Sequence, residues 1–178
     1  MLAGLDVPFT AVAIDADESV PAHLQAGDIP YHISRAKAQA YLPQLEEHQL
    51  LITADTIVWS NGRMLGKPHD EAQAVAMLQD LRGKTHQVYT AVTFAQKNQP
   101  LETVVDCTDV TFADLTDDEI HHYVTKYQPL DKAGAYGIQE WIGYVACTAI
   151  NGSYFNVMGF PVHLVYQALK KRGIDCNQ

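Results

Sequence analysis

The sequence predicts a domain that mixes strands and helices on three observations: apolar, β-branched runs of strand length, amphipathic stretches of helix length, and turn signals between them. Its 178 residues support one domain, 1–178, with a sizeable core. A content of 47% hydrophobic and 19% charged residues is ordinary for a globular chain and excludes disorder. The formal charge of -9 argues against a nucleic-acid binder, which needs a basic face to neutralise phosphates, yet leaves room for one small anion held by a few lysines. No apolar run approaches the roughly 20 residues of a membrane span, and no basic-then-apolar leader opens the chain. The expected location is therefore the cytoplasm.

The elements follow in order. Met1–Phe9 reads as the tail of a helix ending at Gly4, then a turn at Asp6-Val7-Pro8. Thr10–Ala16 alternates like a strand and runs into the acidic stretch Asp15–Pro21, where the proline stops regular structure. On charge alone that stretch is a solvated loop. Ile29–Tyr41 has helical spacing, with Ile33, Ala36 and Ala40 on one face and Lys37 in the turn beside Ile33. Leu50–Trp59 has the content of a buried strand, and Asn61-Gly62 suits the positive φ values of a tight hairpin that folds Met64–Lys67 back beside it. His69-Asp70-Glu71 opens a helix with the apolar stripe Ala74, Met77, Leu78 and Leu81, stopped at Gly83.

Gln87–Ala95 and Glu102–Phe112 form an expected antiparallel pair joined near Asn98-Gln99-Pro100. Thr116 and Glu119 have capping-box spacing, so a helix should run over Asp117–Lys126. Within it His121 and His122 point about 100° apart and cannot chelate one metal from one face. Pro129–Gln139 is too glycine-rich for a central strand and reads as a loop that lets backbone approach a ligand. A strand over Tyr144–Ile150, a turn at Gly152 and, after Gly159-Phe160-Pro161, a terminal helix bearing Val162, Val165, Tyr166 and Leu169 complete the chain. Lys170, Lys171 and Arg172 suit the negative end of that helix. Cys107, Cys147 and Cys176 lack paired spacing and read as reduced spectators.

The chemistry centres on Asp55, a carboxylate set among apolar strand residues, where ionisation is costly unless cations or donors compensate it. Gly66-Lys67-Pro68 returns along the hairpin and would bring an ammonium group near it. Read as pattern, the aspartate serves equally as a strand-end residue capping a loop, Lys37 as a solvated helix lysine, and Gln139 as a group that satisfies loop backbone or reads a base edge.

Five stretches then carry a resemblance: Ala54–Thr56 (ADT), Gly66–Pro68 (GKP), Asp17–Pro21, Leu130–Gln139 (LDKAGAYGIQ) and the ending Gly159–Tyr166. In this order and spacing, from near Leu2 to Lys171, the chain resembles the Maf family of nucleoside triphosphate pyrophosphatases. The resemblance implies an α/β fold with an elongated mixed β-sheet flanked by helices, a homodimer, and metal-dependent cleavage of a nucleoside triphosphate to the monophosphate and pyrophosphate. A threonine after the aspartate together with the glutamine is similar to the branch acting on dTTP and UTP, which implies that Thr56 and Gln139 select a thymine or uracil base. By the same carry-over Asp55 is the proton acceptor, Glu18 and Asp55 hold a divalent cation, Mg²⁺ or Mn²⁺, and Lys37 and Lys67 bind the triphosphate. Family members open with a strand and an S-x-S-P-R-R loop, whereas this chain starts at Met1, after the place of that loop. The expectation is weak turnover by the chain as it stands, from a start assigned at an internal methionine or a true loss. The alternative class is a non-catalytic nucleotide-binding regulator of cell division.

Overall fold

Asn61 (φ 51°) and Gly62 (φ 74°) close the hairpin between strand β1, Leu51–Ser60, and strand β2, Arg63–Leu65. The structure is a computed structural model that describes residues 1–174 and 176. Its sheet adds β3 (Thr85–Ala95), β4 (Glu102–Phe112) and β5 (Cys147–Asn151) in the spatial order β2-β1-β3-β4-β5. Asp55 lies opposite Ala91, and Thr56 opposite Thr90. The α/β class and the flanking helices hold. The pairing differs from the mixed arrangement implied above, because each described strand pair is antiparallel. Connections that reverse the chain direction, such as the Asn61-Gly62 turn and the Gln96–Gln99 turn between β3 and β4, pair strands in that sense.

Helix α1, Asp28–Tyr41, buries Ile29, Ile33, Ser34 and Ala38 against one face of the sheet. The contact is also polar: Thr53 donates to the Ser34 carbonyl at 2.7 Å, and the Ser34 and Thr93 hydroxyls lie 2.9 Å apart. Helix α2, Glu71–Leu81, is capped by Asp70, whose carboxylate accepts from the Gln73 amide at 2.8 Å. Helix α3, Asp117–Tyr127, carries the full capping box of Thr116 and Glu119. Together α2 and α3 supply Leu78, Leu81, Ile120, Tyr123 and Val124 to the main core, which also holds Val58, Phe112 and Tyr136.

Two strand expectations fail, each for its own reason. Thr10–Ala16 lies outside the sheet; its alternation buries no face, since Thr10–Ala13 are exposed. The stretch expected as strand from Tyr144 begins instead as helix α4, Trp141–Ala146, and only Cys147–Asn151 joins the sheet. Ile142 and Ala146, four apart, are buried while Tyr144 is 84% exposed, which is a helical and not an alternating period. A short helix α5, Tyr154–Val157, follows, capped by the Ser153 hydroxyl. Helix α6, Val162–Lys171, then seals a second cluster with Val165, Ala168 and Leu169 over Val92 and Phe94. Leu2–Leu5 is one 3₁₀ turn ended by left-handed Asp6, and the three cysteines are free. No helix among the described residues is long and apolar enough to cross a membrane.

Candidate active site

Successive side chains of a strand point to opposite faces, so β1 sends Asp55 toward α1 and Thr56 to the other side. Lys37 sits one helical turn after the buried Ile33 and is thereby aimed at the sheet. Its ammonium donates to Asp55 Oδ1 at 2.8 Å and lies 3.1 Å from Glu18 Oε1. The Lys37 and Asp55 side chains are 21% and 13% exposed, so this is not a solvated surface pair. Burial lifts the Asp55 carboxyl above its ordinary range; the Lys37 bond and charge oppose that lift, and Glu18 adds to it. Burial alone would lower the Lys37 pKa, but its bonds to Asp55 and Glu18 prevail and raise it. The result is a fixed ammonium holding a carboxylate of enhanced proton affinity.

Beside this triad opens a cavity of 290 Å³ lined by Asp55, Thr56, Lys67, Lys132, Tyr136 and Gln139 and by the Val157–Gly159 segment. Four of the six residues singled out from sequence therefore share it. Lys37 and Glu18 meet it through Asp55 without lining it. Lys67 arrives on the chain leaving β2, and the Gly134 amide donates to the Gly66 carbonyl at 3.0 Å, stapling that segment to the loop bearing Lys132 and Gln139. Gly134 holds φ 67°, and a Cβ there would meet Val58 Cγ2 at 2.8 Å. Glycine is required by both conformation and space.

Sequence reasoning assigned no role to Lys132, Glu140, Tyr123, Tyr136 or His86. Lys132 bonds Asp131 at 2.8 Å and lies 3.3 Å from Glu140. Tyr123 donates to Glu140, and its oxygen accepts from the Gly137 amide at 3.1 Å. The Tyr136 hydroxyl lies 2.8 Å from His86 Nε2; burial drops the His86 pKa to about 4, so the ring is neutral near pH 7. The one available signal was the Asp131-Lys132 pair inside the LDKAGAYGIQ stretch, an ion pair in a loop that otherwise favours small residues.

Among the described residues no three His, Cys, Asp or Glu side chains cluster as a metal cage. Asp55 and Glu18 nevertheless converge on one ammonium. Two hard carboxylate donors beside a cavity fit a hydrated Mg²⁺ or Mn²⁺, which takes one or two protein oxygens and completes its shell with water and phosphate.

An α/β fold that gathers ionised groups, Asp55, Lys67 and Lys132, and neutral hydrogen-bonding groups, Thr56 and Gln139, around one cavity defines a class, proteins that handle small anionic molecules with a polar, uncharged part. The chain belongs to the Maf family, whose model, described as Maf-like protein, matches residues 1–172. It is 48% identical over 172 residues to a protein of Bacteroides thetaiotaomicron named dTTP/UTP pyrophosphatase, covering 96% of this chain and 89% of that one. Relatives with the same name occur in Parabacteroides distasonis, 49% identical over 171 residues (96% and 88%), and in Porphyromonas gingivalis, 46% identical over 177 residues (97% and 88%).

Proposed function

We propose that this chain is a nucleoside triphosphate pyrophosphatase that cleaves dTTP and UTP to the monophosphate and pyrophosphate. The observation that carries the reading is Asp55, raised in proton affinity, pinned by Lys37 and opening onto the cavity that also holds Lys67 and Gln139. The names of the relatives support the same chemistry and the same two substrates.

Asp55 accepts a proton from a water that attacks the α-phosphorus. The bond from that phosphorus to the bridging oxygen breaks, and pyrophosphate departs with the electron pair. Lys37 holds the carboxylate in place and remains charged through the step. Lys67 and Lys132 line the cavity as compact positive charges suited to the phosphate oxygens. Glu18 and Asp55 would hold a divalent cation, Mg²⁺ or Mn²⁺, which when bound supplies Lewis-acid neutralisation of phosphate charge. Gln139 offers an amide donor and acceptor to the base, and Thr56 a hydroxyl oxygen. We further propose that the enzyme works as a homodimer in the cytoplasm.

The test is pyrophosphate release from a panel of triphosphates with Mg²⁺ or Mn²⁺, by the native chain and by Gln139→Ala. The native chain should turn over dTTP and UTP ahead of purine triphosphates, and the variant should lose about ten-fold of that preference. Binding without release would favour a regulator. An unchanged preference in the variant would remove Gln139 from base selection.

A further inference from the structure

The hydroxyl groups beneath the cavity leave a single consistent arrangement of protons. Thr90 Oγ1 lies 2.9 Å from the Asn156 carbonyl oxygen and 2.9 Å from Thr56 Oγ1. A carbonyl oxygen cannot donate, and two oxygens at that distance repel unless a proton lies between them. The one hydroxyl proton of Thr90 is therefore on the Asn156 carbonyl. The contact between the two threonines needs a proton as well, and only Thr56 can provide it.

Thr90 and Asn156 are fully buried, and the position of that carbonyl is fixed by several bonds. The Asn156 side-chain amide donates to the Val88 carbonyl at 3.0 Å and to Thr108 Oγ1 at 2.9 Å, and the Gly159 amide donates to the Asn156 carbonyl at 2.9 Å. Thr56 lines the cavity, and with its proton spent inside the protein its hydroxyl can only accept there.

We infer that Thr90 and Asn156 are positioning residues that lock Thr56 as a hydrogen-bond acceptor, and that this lock makes the site select bases carrying an N3–H. The inference rests on the reading above that Thr56 faces the base. Uracil and thymine present a donor at N3 between two carbonyl oxygens. Cytosine presents a lone pair at N3 instead. A hydroxyl free to rotate would serve either; one committed to Thr90 serves only the first, while the Gln139 amide remains free to donate to a carbonyl oxygen.

The experiment compares UTP with CTP by the ratio of their kcat/KM values, and UMP with CMP by the ratio of their Kd values without divalent ions. Thr90→Val removes the acceptor for the Thr56 proton and frees that hydroxyl to donate, so both ratios should fall about ten-fold, chiefly through better use of the cytosine nucleotides. Thr90→Ser retains the relay and should keep the native ratios, which separates proton direction from packing. Thr56→Val, which removes the lone pairs and leaves Thr90 intact, should lower the ratios through poorer use of the uracil nucleotides and keeps the idea testable should Thr90→Val fold poorly. Unchanged ratios in folded Thr90→Val, or an equal fall in Thr90→Ser, would overturn the inference while leaving the pyrophosphatase reading intact. A native chain that neither binds nor cleaves UTP would overturn both.

Discussion

The two walls of the cavity are built by opposite means. On one side Asp55 stands on β1 and is held from behind by Lys37 of α1, two regular elements joined by a 2.8 Å ion pair. On the other side Lys132, Tyr136 and Gln139 ride an irregular loop whose shape is dictated by residues distant in sequence: Val58 under Gly134, His86 behind Tyr136, and Tyr123 holding both the Gly137 amide and Glu140. The first wall owes its geometry to periodicity. The second owes it to buried polar and steric contacts, and so it can be disturbed while the first stays whole.

The largest such disturbance should come from Gly134→Ala. A left-handed residue with a Cβ costs about 1–2 kcal/mol, and a methyl forced against Val58 costs about 1–3 kcal/mol more. A loss of about 2–5 kcal/mol should appear in chemical denaturation, with activity falling as the Lys67 and Lys132 segments lose their staple. A loss well under 1 kcal/mol would show that the loop is not held where the contacts place it.

A smaller effect follows from pH. His86 titrates near 6.5 when unfolded and near 4 in the folded chain, because burial disfavours its charged form. Between those values the unfolded state binds more protons, so this contribution is complete above about pH 6.5 and is lost as pH falls toward 4, amounting to about 3 kcal/mol. Denaturation midpoints for the native chain and His86→Leu across that window should show a flatter acid-side slope in the variant, whatever its stability at pH 7. Parallel slopes would mean that His86 is protonated in the fold.

Legibility divides along the same line as the walls. The β1–β2 hairpin was readable from a β-branched run closed by Asn61-Gly62, α3 from the Thr116 and Glu119 capping box, and Asp55 from the cost of a carboxylate in such a run. Lys37 became readable as a site residue only through the family resemblance, since helical spacing alone places a lysine on a face without saying what that face meets. Lys132 had only its neighbour Asp131 as a local signal, and Tyr136 and His86 had none. Their partners lie eight, fifty and fifty residues away, at Glu140, His86 and Tyr136 respectively, and no period of 2 or 3.6 encodes such pairings. Thr10–Ala16 shows the converse error, an alternating pattern without a strand beside it.

The proposal that Asp55 accepts the proton of the attacking water is tested most directly by Asp55→Asn, which keeps the shape of the side chain and removes its basicity. Nucleotide binding and pyrophosphate release should be measured on the same preparation. The account predicts that dTTP and UTP still bind while pyrophosphate release falls about a thousand-fold or more. Release within a few-fold of the native rate would contradict it.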